Sequence, residues 1–147
     1  MLANKTTRRT EILNRLKNTL TTPDVFKTVP YKTQKEGRII SGIYHYLVHE
    51  VRKLYQEYGG FTEKTAVLKT NKNLLWEGNI NTTINHVEFF GGRHRPDIIV
   101  DFEEGFKIAV EVKRGVSGHS FRKGIGQCLV YTASFMADFA ILLYIDI

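Results

Sequence analysis

Residues 95–113 read Arg-Pro-Asp-Ile-Ile-Val-Asp-Phe-Glu-Glu-Gly-Phe-Lys-Ile-Ala-Val-Glu-Val-Lys. The stretch predicts two strands, Asp97–Phe102 and Phe106–Lys113, joined by a short turn. With the turn centred on its second glutamate, antiparallel pairing places Asp97 opposite Glu111. One face of the hairpin is then entirely apolar and the other is mixed, and a slip of one residue would mix the two sets. The alternation therefore predicts both the hairpin and its register.

Two carboxylates facing each other on a sheet repel, so something positive is expected between them. Lys113 lies two residues after Glu111 and shares its face. A divalent cation is the other solution, because Mg²⁺ prefers carboxylate oxygens and bridges to substrate phosphate. Lys113 could then hold an attacking water or offset charge on the phosphate. The alternative is a solvated hairpin in which Glu111 only pairs with Lys113, and the apolar Ile99 and Ala109 on the same face disfavour it.

The segments around the hairpin alternate between helical and extended patterns. Two helices are predicted first, Thr7–Leu20 and Thr33–Tyr58, the second opened by a Thr33/Glu36 capping box. The remaining elements are two strands, one helix and a last strand: Thr65–Lys69, Ile84–Phe90, Ser120–Met136 and Phe139–Ile145. This order predicts an α/β or α+β sandwich, a mixed central sheet flanked by helices.

Pro96-Asp97, the hairpin and Glu111-Val112-Lys113 resemble the PD-(D/E)XK nuclease superfamily. The resemblance covers about two-thirds of the chain and implies a restriction-endonuclease-like core of order α-β-β-β-α-β, here with an extra N-terminal helix. It implies that Asp97, Glu111 and the backbone carbonyl of Val112 bind Mg²⁺ (or Mn²⁺), and that Lys113 assists the water. The implied activity is metal-dependent hydrolysis of DNA phosphodiester bonds.

Gln127 and Tyr131 stand four residues apart on one face of the predicted helix. They fit the QxxxY pattern of the superfamily branch that includes recombination exonucleases. By that resemblance Gln127 reaches into the active site as a catalytic residue, and Tyr131 approaches the DNA. Simple helix packing is the alternative for both residues.

The family often adds an acid from its first core helix or a neighbouring strand. Glu50 is favoured here, because it lies on the flank of the apolar stripe of the second helix. Glu36, Glu57 and Glu88 remain open alternatives.

The net charge of +6 makes nucleic acid a reasonable partner. Residues 1–60 hold 11 Lys and Arg against 5 Asp and Glu, so this basic part is expected to grip the phosphate backbone. Arg93, His94 and Arg95 precede the motif and could contact phosphates. Lys123 lies on the side of the predicted helix that carries Gln127 and could line the same groove.

The length of 147 residues fits one nuclease domain, read as a basic helical extension over 1–30 and a core over 33–147. The one cysteine, Cys128, excludes an intrachain disulfide or cysteine-ligated cluster and fits an intracellular (cytoplasmic), non-secreted protein. No stretch is apolar enough for a membrane span. A Holliday-junction resolvase, which would imply a homodimer, is one alternative function. The alternative of another class is a non-catalytic nucleic-acid-binding protein that keeps the nuclease fold.

Overall fold

The computed structural model describes residues 2–78, 84–89, 91–102 and 105–147, with side chains from residue 7 onward. Four helices precede the first strand, and a fifth helix separates the last two strands. In chain order the elements are α1 (Leu2–Leu20), α2 (Pro23–Thr28), α3 (Glu36–Gly59), α4 (Glu63–Asn73), β1 (Leu74–Trp76), β2 (Val87–Phe89), β3 (Gly92–His94), β4 (Ile98–Asp101), β5 (Lys107–Gly115), α5 (Gly118–Ala133) and β6 (Phe139–Asp146).

The central sheet has four strands in the order β1-β4-β5-β6. β4 pairs antiparallel with both β1 and β5, and β6 pairs parallel with β5. A parallel neighbour requires a crossover connection, which α5 provides. Val100 lies opposite Ile108, so the register predicted from the alternating pattern is confirmed. β2 and β3 form a separate antiparallel pair.

Helices cover both faces of the sheet, as the mixed α+β prediction requires. The face carrying Val100, Ile108 and Val110 belongs to the main core with α1 and α3. The opposite face carries a smaller cluster that includes Ile99, Ala109 and Tyr131 of α5. β5, the longest strand, therefore lies between two helical layers.

The prediction of a strand at Thr65–Lys69 is wrong, because these residues form the middle of α4. The side chain of Thr62 accepts a hydrogen bond from the Thr65 backbone N–H at 3.3 Å and caps that helix. The first strand of the sheet is β1, which the sequence reading missed. The strand predicted at Ile84–Phe90 is shorter, Val87–Phe89, and Phe90 lies outside the described residues.

The predicted Thr33/Glu36 capping box is also absent. α3 begins at Glu36, and its N-cap residue is Lys35, whose side chain makes no capping hydrogen bond. The Glu36 carboxylate instead accepts a hydrogen bond from the Arg114 backbone N–H at 3.0 Å. The start of α3 is thereby tied to the last part of β5.

α1 is part of the core rather than an appendage to it. Its residues Ile12, Leu16 and Leu20 are buried in the main cluster. Arg15 forms ion pairs with Glu50 and Glu57 of α3. Arg15, one of the cations of residues 1–30, is therefore used in holding two helices together.

In the described ranges, every helix falls short of the combined length and apolarity that a membrane crossing demands.

A buried hydroxyl joins three elements at the end of the sheet where β4 finishes. The Tyr55 hydroxyl donates to the Asp101 carbonyl at 3.0 Å and accepts from Asn73 Nδ2 at 2.9 Å. We expect Tyr55→Phe to lower the free energy of unfolding by about 1–2 kcal/mol in urea denaturation. Tyr58→Phe is the matched control, since its hydroxyl binds the exposed Glu11 carboxylate, and it should cost under about 0.5 kcal/mol. Equal costs would contradict the assignment.

Candidate active site

The ladder between β4 and β5 brings Asp97 and Glu111 side by side. The Phe102 N–H donates to the Phe106 carbonyl at 2.8 Å, which marks that position as a hydrogen-bonded pair. Hydrogen-bonded and non-hydrogen-bonded pairs alternate along an antiparallel ladder. Ile98 lies opposite Val110, so Asp97 lies opposite Glu111 one position further along. By this alternation the two acids form a non-hydrogen-bonded pair, in which side chains lie closest. We call these two residues the carboxylate pair.

Glu111 is buried, with only 2% of its surface exposed. Its Oε1 lies 2.9 Å from Lys113 Nζ, and its Oε2 accepts a hydrogen bond from the Tyr131 hydroxyl at 2.9 Å. A buried charge without partners would be strongly unfavourable. Lys113 from the same strand and Tyr131 from α5 supply the positive charge and the donor that make the burial tolerable.

Asp97 is less well compensated than Glu111. Its Oδ2 accepts a hydrogen bond from the Val112 backbone N–H at 2.8 Å, which favours the ionised form. Burial and the negative charge of Glu111 outweigh this, and they raise the pKa of Asp97 to about 7. A carboxyl whose pKa is raised by burial and by a specific charged neighbour is typical of a functional site.

Lys113 stays charged in spite of its position. Burial disfavours its ammonium form, but the hydrogen bond and charge of Glu111 outweigh that effect, so the pKa of Lys113 lies above its ordinary value. Glu36 and Asp97 add to the same shift. Three acids therefore act on this one amine.

β5 continues past the point where β4 begins, so part of its edge has no partner strand on that side. The Val112 N–H on this edge binds Asp97 and the Arg114 N–H binds Glu36. The next position of the register sets Pro96 opposite Val112, and proline has no N–H to donate. β4 therefore offers no donor to the Val112 carbonyl, which leaves an oxygen ligand beside the carboxylate pair.

α5 packs closely over this part of the sheet. A Cβ atom at Gly124 would lie 2.6 Å from Leu142 Cδ1 and 2.9 Å from Lys113 Cγ, so glycine permits the close approach. One turn further on, burial and the charge of Glu111 raise the pKa of Cys128 to about 11. The inner face of α5 thus covers the carboxylate pair on this side of the sheet.

The two residues of the QxxxY pattern differ in their surroundings. Gln127 lies on the inner side of α5, and its Oε1 is buried without a hydrogen-bond partner among the described residues. Such an atom is expected to meet a water or a ligand group. Tyr131 is fully buried and bonded to Glu111, so its side chain lies against the carboxylate pair and not on the surface where a DNA contact was predicted.

The acid favoured from the first core helix lies elsewhere. Glu50 is about 21 Å along α3 from Glu36 at 1.5 Å per residue and is bound to Arg15, so the structure does not bring it to the carboxylate pair. Glu57 is also bound to Arg15. Glu88 faces Arg93 across the β2–β3 hairpin, outside the four-stranded sheet. Glu36 is the helical acid that meets β5.

The positive charge near the site comes mainly from residues outside the motif. The Arg114 side chain binds the Lys32 carbonyl, which places the segment before α3 beside the end of β5. Exposed cations lie on the segment before α3 and on the first turns of α3 and α5, and we call them the basic rim: Lys32, Lys35, Arg38, Arg122 and Lys123. The predicted contact residue Lys123 is thus exposed at the site.

The predicted arginine contacts have different environments. Arg93 is exposed on β3. Arg95 forms an ion pair with Glu77, an acid that the sequence reading overlooked and whose charge also acts on Asp97. Arg8 and Arg9 of α1 line a cavity of about 320 Å³ with Tyr55 and Phe106, at the opposite end of the sheet from the carboxylate pair. The first turns of α1 therefore do not join the basic rim.

Three groups at the carboxylate pair could supply oxygen ligands to a divalent cation: Asp97, Glu111 and the Val112 carbonyl. No group of three or more His, Cys, Asp or Glu side chains suited to a metal occurs among the described residues. Mg²⁺ does not need such a group, because it keeps several waters and uses one or two carboxylates. The repulsion that raises the pKa of Asp97 is the charge imbalance that a cation would relieve. The residues fit a hydrated divalent cation.

No family model, curated protein or solved structure matches this chain. The resemblance noted from the sequence is therefore supported by the chain's own residues alone.

Asp97→Asn tests the repulsion within the carboxylate pair. Asparagine keeps an acceptor for the Val112 N–H and removes the charge. The pKa of Asp97 in the folded protein, about 7, lies above the ordinary 3.8. The folded state therefore binds this proton more tightly than the unfolded state, and the free energy of unfolding of wild type falls as the pH rises towards 7. At pH 8 in EDTA, we expect the free energy of unfolding of the variant to exceed that of wild type by about 3 kcal/mol. The variant should therefore unfold at a higher temperature.

The difference in unfolding free energy between the variant and wild type should shrink as the pH falls from 7 towards 3.8. Thermal denaturation of both proteins at several pH values measures this difference. Asp101→Asn, on the same strand, is the control and should show no comparable gain at pH 8. A gain for Asp97→Asn that does not change with pH would contradict the account.

Proposed function

We propose that the protein is a divalent-metal nuclease of the PD-(D/E)XK type that hydrolyses DNA. The observation that carries the proposal is the carboxylate pair, in which Glu111 is buried and lies 2.9 Å from the Lys113 amine. A protein with a purely structural hairpin gains nothing from opposing two acids in a half-buried position, since the pair costs stability. Strain of this kind is expected where function requires it.

Asp97, Glu111 and the Val112 carbonyl would hold Mg²⁺ or Mn²⁺. The ion would polarise a phosphoryl oxygen and lower the pKa of a bound water. Glu36, which binds β5 at Arg114, and Gln127, whose buried Oε1 has no partner among the described residues, would offer further oxygen atoms to its waters or to substrate. The family resemblance, which implies one more acid from the first core helix, is better served by Glu36 than by Glu50.

Lys113 has the position and the charge to act on the substrate. Its amine lies against Glu111 and remains protonated, as the raised pKa indicates. A protonated amine stabilises negative charge that develops on the phosphate, and such charge is worth most where water is partly excluded. Gly124 packs closely against Cγ of Lys113, which fixes the first part of that side chain.

The basic rim supports an extended anionic substrate rather than a small one. Its cations come from two parts of the chain, the start of α3 with the segment before it and the first turns of α5. Phosphate contacts of this kind hold a strand in register without reading its bases. DNA is the substrate that the resemblance implies.

Cleavage of labelled single-stranded, duplex and four-way-junction DNA in Mg²⁺, Mn²⁺ or EDTA tests the proposal. We expect metal-dependent cleavage by wild type and a loss of at least about 100-fold in Glu111→Gln, the size of effect typical of removing one transition-state contact. Glutamine keeps an acceptor for the Tyr131 hydroxyl, so the loss would not reflect a collapsed site.

Asp101→Asn is the matched control for this assay. It removes a carboxylate from the same sheet at the other end of β4 and should cleave like wild type. DNA binding without cleavage on any of the substrates would favour the non-catalytic binding protein. Preference for the four-way junction would favour a resolvase.

The basic rim predicts a second result, in the salt dependence of DNA binding. Replacing Lys35 and Arg38 by glutamine should reduce the slope of log K against log salt by about 1.8, since each duplex phosphate contact contributes about 0.9. Fluorescence anisotropy of labelled duplex over a range of NaCl concentrations measures the slope. Lys53→Gln with Lys64→Gln removes the same charge from exposed positions on α3 and α4 away from the site. An equal reduction of the salt-dependence slope in that control would indicate that net charge, and not the position of the basic rim, determines DNA binding.

A further inference from the structure

Glu111 has two carboxylate oxygens with different partners. Oε1 lies 2.9 Å from the Lys113 amine, and Oε2 accepts from the Tyr131 hydroxyl at 2.9 Å. Lys113 is partly exposed, with 15% of its side-chain surface accessible, so its amine can shift when another cation approaches. Tyr131 is fully buried. The two oxygens are therefore not equally available to a metal ion.

The bond from Tyr131 is difficult to break. Its hydroxyl is enclosed between α5 and the sheet, and breaking the bond would leave a buried donor unsatisfied. The Tyr131 ring belongs to the cluster of Ile99 and Ala109, which fixes its position.

α5 itself has little freedom to carry Tyr131 away from Glu111. Gly124 approaches Leu142 and Lys113 so closely that a single added carbon would clash. The helix end is fixed as well, because the Ala137 N–H donates to the Tyr131 carbonyl at 3.1 Å. The hydroxyl is thus held at Oε2 by packing on both sides.

We propose that Tyr131 is a positioning residue that leaves Glu111 one oxygen for a cation and so selects Mg²⁺ or Mn²⁺ over Ca²⁺. The inference rests on the proposed function, since it assumes that the carboxylate pair binds a divalent ion. Mg²⁺ requires six ligands in near-ideal octahedral geometry and accepts single carboxylate oxygens with waters. Ca²⁺ takes six to eight oxygens and readily uses both oxygens of one carboxylate. A glutamate restricted to one oxygen therefore disfavours the larger ion.

Tyr131→Phe removes the hydroxyl and keeps the ring. The full-length variant and wild type are loaded with Mn²⁺, and Mg²⁺ or Ca²⁺ is used to displace it while free Mn²⁺ is followed by electron paramagnetic resonance. We expect the affinity for Ca²⁺ relative to Mg²⁺ to rise roughly tenfold in the variant, the effect of freeing one charged ligand oxygen. A general loss of metal affinity would lower the Ca²⁺ and Mg²⁺ affinities alike and leave their ratio unchanged. A merely structural role for the hydroxyl would therefore not change the ratio.

Tyr144→Phe is the matched control, because its hydroxyl binds the main-chain carbonyls of Gly115 and Ser117 nearby and does not touch Glu111. Its ratio should equal that of wild type. An unchanged ratio in Tyr131→Phe, with Mn²⁺ still bound, would overturn this inference and leave the proposed function intact. Absence of Mn²⁺ binding by wild type would overturn both.

A crystal structure of the wild-type protein with Mn²⁺ tests the same point without a variant, should Tyr131→Phe fail to fold. We expect one Glu111 oxygen on the ion and the Tyr131 hydroxyl still within hydrogen-bonding distance of the other. Coordination by both oxygens, with the hydroxyl displaced, would contradict the inference.

Discussion

Repulsion between two carboxylates on one sheet face governs the organisation around Asp97 and Glu111. Glu111 is stabilised by Lys113 and Tyr131, whereas Asp97 accepts one backbone hydrogen bond from the described residues and has a pKa raised to about 7. The imbalance is local and cannot relax, because the register of β4 against β5 is fixed by the buried residues on the opposite face. Folding energy from the core thus maintains an arrangement that is unfavourable by itself.

β5 extends beyond the start of β4, and the carboxylate pair lies where this unpaired part of β5 begins. Where β4 has not yet begun, the edge of β5 would present unpaired backbone groups. Asp97 and Glu36 satisfy two N–H groups there, and Pro96 leaves the Val112 carbonyl without a donor from β4. Side chains from a strand start, a helix start and a crossover helix therefore meet at one edge. The close approach of α5 at Gly124 adds Gln127 and Tyr131 above it.

The sequence predicted the parts of this arrangement that depend on alternation. A period of two along residues 97–113 was sufficient to give the hairpin, its register and the opposition of Asp97 to Glu111. The strand predicted at Thr65–Lys69 is wrong because the Thr62 side chain caps a helix that runs through these residues. The missed strand β1 has three residues, too few to show a period.

The roles of single side chains depended on tertiary contacts that no local pattern reveals. Glu50 and Glu36 both lie on α3, and only the packing of α1 shows that Glu50 is bound to Arg15. Glu36 had the spacing of a capping residue, so its contact with Arg114 was not visible. Tyr131 was correctly placed on the face of Gln127, but a tyrosine at that position can face either solvent or Glu111, and burial decides between them.

Titration of the protein with Mn²⁺, with free ion measured by electron paramagnetic resonance, tests the central claim most directly. The account predicts saturable binding by wild type that is lost in the double variant Asp97→Asn/Glu111→Gln and retained in Asp101→Asn. Wild-type protein that leaves all Mn²⁺ free, or a double variant that binds as well as wild type, would contradict the view that the carboxylate pair is a cation site.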